Sequence, residues 1–160
     1  MQRLGGSEKG ISAAENDIVI ERANRSDIQA LATLAAELGE IDRQAAERNV
    51  STALEDPSVH LYVSRSEGNA IGFAGFTTRR TIIHAQPCGL LDELIVSREY
   101  RGKGIGKALI AHVIAACRER GCCELEVSTL KSNKRAREFY IACGFEEEAV
   151  LLELDLDESR

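Results

Sequence analysis

The sequence predicts an α/β domain of the α+β kind, a mixed sheet covered by helices, and three observations lead there. Apolar residues switch repeatedly between a spacing of two and a spacing near 3.6. After an opening hairpin, strand-like and helix-like segments alternate, as in a sheet with helices packed on it. The length of 160 residues suits one domain with its own core and is short for two.

Each element can be justified in order. Residues 1–16 are rich in Gly, Ser, Glu and Lys without periodicity and read as a mobile tail, leaving the domain to 17–160. IVIERA (18–23) alternates and is β-branched, so it predicts a strand. Ser26 or Asp27 can cap the next helix, in which Ile28, Leu31, Leu34, Ala35 and Leu38 share a face before Gly39 ends it. Asp42 can start a second helix running towards Leu54, and Pro57 forbids its continuation. VHLYVSR (59–65), the turn EGN (67–69) and AIGFAGFTTRR (70–80) form the hairpin, with Gly72 and Gly75 marking a bulge. LLDELIV (90–96) is a further strand after Pro87. A mostly apolar helix covers 104–120 and stops at Gly121. ELEVSTL (124–130) predicts a strand, and Asn133 to Cys143 a short helix stopped by Gly144. A final pair of strands is expected from Phe145 onward, AVLLELDL (149–156) being the clearer.

Composition narrows the function. The net charge of -6 argues against nucleic acid as the main partner, because phosphate binding requires a basic surface. No apolar run approaches the ~20 residues of a membrane helix, and MQRLGGSEKG has no signal-peptide character, so a cytoplasmic protein is expected. The five cysteines, at 88, 117, 122, 123 and 143, include no CxxC pair, and no His stands at zinc spacing, so reduced thiols and no metal are expected. Cys117 and Cys143 read as buried small hydrophobes. His60, His84 and His112 show no base-like context, and His112 reads as a core or edge residue on an apolar helix.

Arg101-Gly102-Lys103-Gly104-Ile105-Gly106-Lys107 lies between a strand and a helix. Glycines there let backbone amides approach one anion at the positive end of the helix dipole, and three basic side chains add charge. A pyrophosphate site fits; a tight turn with solvated lysines is the plainer alternative. A Walker loop needs a hydroxyl after the lysine, where Ala108 stands. A dinucleotide fingerprint needs GxGxxG directly after the strand, whereas SREYR (97–101) intervenes and the spacing is GxGxG.

LDELIVSREYRGKGIGKALI (91–110) resembles the acyl-coenzyme A-binding segment of the GCN5-related N-acetyltransferases, whose Arg/Gln-x-x-Gly-x-Gly/Ala pattern Arg101, Gly104 and Gly106 fit. STLKSNKRAREFYIACGF (128–145) resembles a second family segment, matched by Asn133, Ala136, Phe139, Tyr140, Gly144 and Phe145. The resemblance covers roughly 17–156. It implies a single-domain mixed sheet of six or seven strands that splays open between 90–96 and 124–130. Acetyl-CoA as co-substrate would lie in that cleft, its pantetheine pairing with the backbone of Leu94, Ile95 and Val96 and its pyrophosphate on the amides of 101–107. Asn133 would bond the pantetheine or a nearby backbone group.

The resemblance further implies direct transfer of acetyl to an amine of a small molecule or protein. Tyr140 would be the general acid, its phenol pKa of ~10 suiting a leaving thiolate; beside Phe139 it also reads as a core aromatic. For the base, Glu93 is preferred over its neighbour Asp92, over Glu126 on the opposite strand, and over water. Strand alternation lets only one of Asp92 and Glu93 face the cleft, unless a bulge intervenes. The acceptor region near 38–45, with Glu37, Glu40, Asp42 and the run Glu146, Glu147 and Glu148, suits a polycationic amine. A solvated acidic face is the plainer reading of that run. No cysteine has a base beside it, so a covalent route is not expected. A homodimer is compatible with the resemblance. A non-catalytic acyl-coenzyme A sensor or interaction module is the alternative function; it would need neither Tyr140 nor a cleft carboxylate.

Overall fold

The computed structural model describes residues 18–147 and 149–156, so the expected tail over 1–16 lies outside the described residues. Five strands form one sheet in sequence order: β1 (Val19–Arg22), β2 (Val59–Ser66), β3 (Asn69–Arg79), β4 (Cys88–Val96) and β5 (Leu125–Val127). The first four are antiparallel, and β5 joins β4 in parallel through the crossover helix α3 (Ile105–Glu119). Helices α1 (Ile28–Ala36) and α2 (Arg43–Glu55) precede the hairpin, and α4 (Lys134–Ala142) follows β5.

The sheet separates two apolar layers. Leu31, Leu34 and Val50 of α1 and α2 pack on Leu61, Val63, Phe73 and Ile95. On the other layer, Ile105, Leu109, Ile110 and Val113 of α3 pack on Tyr62, Phe76 and Leu91. Both cysteine and histidine positions are consistent with structural roles: Cys117 is 4% exposed, and the His112 ring lies 4.6 Å from that of Tyr62. Cys143 is only half-buried, against the expectation, because it follows the last turn of α4 at that helix's edge.

Other local expectations change as well. The cap before α1 is Asn24, whose side chain accepts from the Ser26 N–H while Asp27 accepts from the Asn24 N–H in return, both at 2.9 Å. Asp27 turns inward and meets Arg65 at 2.5 Å, a pairing that sequence spacing does not disclose. Asp42 caps α2 as expected, accepting from the Ala45 N–H at 2.9 Å.

The expected count of six or seven strands is corrected to five among the described residues. Residues 149–156 form neither strand nor helix, and Val150, Leu151, Leu152, Leu154 and Leu156 stay 63–88% exposed. Their alternation supplies a face, but a strand also needs a hydrogen-bonding edge alongside, and no ladder is formed there. The strand expected over 124–130 shortens to three residues for a related reason: β4 pairs with it only through Gly89–Leu125, Leu90–Glu126 and Leu91–Val127.

Candidate active site

Beyond Leu91, β4 runs on while β5 has ended. Leu94, Ile95 and Val96 remain paired to β3 on one side, opposite Ala74, Phe73 and Gly72, and among the described residues their other edge has no strand beside it. That opening is where an extended ligand can add itself as a strand.

A bulge in the same stretch decides which carboxylate faces which layer. Gly75 pairs with Glu93 and Phe76 with Leu91, so Asp92 is the extra residue. The bulge reverses the alternation of the strand: Leu91 packs with the α3 layer, whereas Ile95 packs with the α1–α2 layer. Glu93 falls in step with Ile95. Its Oε2 would lie 2.5 Å from a Cβ at Gly75, beside the Leu61 methyl, so only a glycine leaves room for this carboxyl. The side chain reaches solvent at the mouth. Burial of the carboxyl, and then the Asp92 charge, push it up to about 7. Asp92 is also raised by burial, but hydrogen bonds from the Thr77 side chain and backbone oppose the rise.

Glu126, the third candidate base, lies elsewhere. It is the middle residue of β5, opposite Leu90, and its carboxylate is engaged by Arg79 in an ion pair. The sequence could not place it, since its partner comes from the hairpin.

The glycine-rich turn has the geometry of an anion cradle. Gly102 and Gly104 take left-handed conformations, φ +76° and +82°, which side-chain-bearing residues rarely adopt. Ala108 N–H makes the first bond of α3, to the Gly104 carbonyl at 3.0 Å. Among the described residues, no protein acceptor meets the amides from Gly102 to Lys107. The basic side chains differ. Arg101 Nε donates to the Val96 carbonyl at 2.9 Å, tying the turn to the end of β4. Lys103 Nζ sits 4.8 Å above the Tyr100 ring, and Lys107 is exposed on the first turn of α3.

The second segment touches the first. A Cβ on Gly106 would stand 3.3 Å from Phe139, so α4 packs against the start of α3. Asn133 caps α4, accepting from the Ala136 N–H at 3.1 Å, so its carbonyl oxygen serves a backbone group. Past the helix, Phe145 N–H reaches the Tyr140 carbonyl at 3.1 Å and its ring packs edge-on, 5.6 Å from Tyr140. Tyr140 is half-buried, and burial, with the Cys143 thiol, raises its phenol above the ordinary value.

The acidic residues assigned to the acceptor are mostly engaged. Glu147 pairs with Arg137 at 2.6 Å, the Glu37 carboxylate accepts from the Arg98 N–H at 3.4 Å, and Asp42 is the α2 cap. Glu148 lies outside the described residues. No helix among the described residues is long and apolar enough to cross a membrane.

Comparison with known proteins agrees with this geometry. Residues 26–145 match the acetyltransferase (GNAT) family. An aminoglycoside N(6')-acetyltransferase type 1 of Stenotrophomonas maltophilia is 32% identical, over 80% of this chain and 86% of its own length. An aminoalkylphosphonate N-acetyltransferase of Salmonella typhimurium is 28% identical, over 80% and 84%. Among solved structures, AAC(6')-Iy in complex with the bisubstrate analogue CoA-S-monomethyl-acetylneamine superposes with a TM-score of 0.77 at 26% identity, over 86% of this chain and 97% of that one. The chain therefore belongs to the acetyltransferase (GNAT) family, as an acetyl-CoA-dependent N-acetyltransferase.

Proposed function

We propose that the chain acetylates a primary amine of a small molecule by direct attack, with Glu93 as general base and Tyr140 as general acid. The observation that carries this reading is the Glu93 carboxyl, seated over Gly75 of β3 on the strand that has the unpaired edge and pushed up to about 7 by burial and then by the Asp92 charge. A base that is half-ionised near pH 7 can take a proton without being permanently saturated or too weak.

The coenzyme lies along the free edge of Leu94, Ile95 and Val96, with its pyrophosphate on the amides of Gly102, Lys103, Gly104, Ile105, Gly106 and Lys107. Arg101 ties the turn to β4 through its Nε and joins the pyrophosphate site as a cofactor-binding residue. Asn133 positions α4, and its Nδ2 donor is available to the pantetheine. Backbone amides near 94–96 polarise the thioester carbonyl. The amine nitrogen bonds to the carbonyl carbon as its proton passes to Glu93, and the carbon–sulfur bond breaks as the Tyr140 hydroxyl protonates sulfur. The raised phenol stays protonated throughout the neutral range, so the acid is in its working form. Cys143, the thiol nearest that phenol, is itself raised by burial and is no activated nucleophile.

Aminoglycosides and aminoalkylphosphonates, named for two relatives, are the first acceptor classes to examine. Free-thiol release from acetyl-CoA should be followed with a panel containing both, polyamines and lysine peptides. Release that depends on a small amine supports the proposal. Tight coenzyme binding without release for any amine would favour the binding-module alternative.

A further inference from the structure

We propose that His84, Cys88, Cys123 and Glu124 form a structural site for a zinc-like divalent cation at the paired end of β4 and β5. Their donor atoms, one imidazole nitrogen, two thiol sulfurs and one carboxylate oxygen, all lie within 4.8 Å of one another. The Cys88 and Cys123 sulfurs are 3.8 Å apart. Two thiolates bound to zinc at about 2.3 Å in a tetrahedron stand about 3.8 Å apart, so this edge of the site already has its bound length. The remaining edges close by rotation of His84 and Glu124, both exposed. A disulfide would need the sulfurs at ~2.0 Å and would leave the imidazole and carboxylate without a reason to converge.

The backbone prepares the cluster. Cys123 N–H donates to the Pro87 carbonyl at 2.9 Å, and Gly89 N–H to the Glu124 carbonyl at 3.0 Å, so the two segments are clasped on both sides of Cys88. A Cβ on Gly89 would meet Cys117 Sγ at 2.9 Å and Leu125 at 3.1 Å, so the glycine permits this approach. His84 N–H donates to Thr81 Oγ1 at 3.1 Å, which turns the connecting segment back towards the strand ends. Cys88 is buried at the floor, while the other three ligands face solvent, giving the ion an entry side. Two soft sulfurs with one imidazole and one carboxylate select zinc over calcium or magnesium. Four protein ligands leave no open position, which marks a structural ion rather than a catalytic one. Along β4 the site is about 25 Å from Val96, given ~3.3 Å per residue, and it is independent of the transfer chemistry. No sequence spacing announces it, because the ligands come from the segment before β4, from the first residue of β4 and from the residues before β5.

The test uses the full chain, reduced, titrated with Co2+ and then with Zn2+ alone. One equivalent of Co2+ should give thiolate-to-cobalt charge-transfer absorbance, displaced by one equivalent of Zn2+, and Zn2+ should raise Tm by several degrees. Cys123→Ser and His84→Ala alter exposed residues and should each weaken Zn2+ binding about tenfold or more. Cys122→Ser should leave it unchanged. Absence of the charge-transfer band, its persistence in Cys88→Ser/Cys123→Ser, or equal affinity in His84→Ala would overturn the site.

Discussion

The two ends of the β4–β5 pair are built for opposite purposes. At the end near Cys88 and Glu124, ladder bonds and a glycine without a Cβ hold the strands together, and four donor atoms converge. At the end near Glu93 and Val96, a bulge reverses the strand's phase, β5 stops, and a row of backbone groups stays open. As proposed, the closed end holds the strands in place and the open end offers its backbone pairing to the coenzyme. Substitutions at the first should therefore move stability, and substitutions at the second should move catalysis.

The largest effect is expected at the open end. Glu93→Gln keeps the shape of the side chain and removes the proposed base, so kcat/KM for the amine should fall about 100-fold or more in steady-state assays. Tyr140→Phe should lower kcat roughly 10- to 100-fold with the KM for acetyl-CoA nearly unchanged, because the proposed role of the phenol is on the departing sulfur. Equal turnover in the two proteins would remove Tyr140 from the mechanism. Gly89→Val moves to the closed end. Its side chain collides with Cys117 and Leu125, so thermal unfolding should show a loss of roughly 1–3 kcal/mol, with acetyl-CoA affinity retained.

The smallest effect tests the cost of partly desolvating the proposed base. Glu93 is raised from 4.5 to about 7, so the folded state holds more proton than the unfolded state between those values. The linked stability is fully present below pH 4.5 and is lost as pH rises through 7. Glu93→Gln should thus raise Tm slightly relative to the parent at pH 8, and the advantage should vanish at pH 4.5. Solvent at the mouth keeps the gain to a few degrees at most.

The paired elements were legible because their signals are local. Alternation in 59–65 and 70–80, the apolar stripe of α3 and the glycines at 102 and 104 each depend on neighbours in the chain. Gly72 and Gly75 marked two bulges: Ile71, next to Gly72, is the extra residue against β2, and Asp92 is the extra residue opposite Gly75, where the partner strand sets the register. The choice between Asp92 and Glu93 was therefore closed to periodicity alone. The Arg79–Glu126 pair and the donor cluster around Cys88 depend on contacts across distant segments, whereas the Asn24–Asp27 capping box is local. Residues 149–156 show the reverse case: the strand pattern is strong, but pairing depends on an edge that the pattern does not encode.

The most direct measurement is the pH dependence of kcat/KM for a responsive amine in the parent and in Glu93→Gln. The parent should rise through an apparent pKa of about 7 as the Glu93 carboxyl ionises, and that limb should disappear from the variant, leaving only the amine's own titration. An unchanged limb in Glu93→Gln, with activity close to the parent, would contradict Glu93 as the base and leave the open end as a coenzyme cleft without a carboxylate in its chemistry.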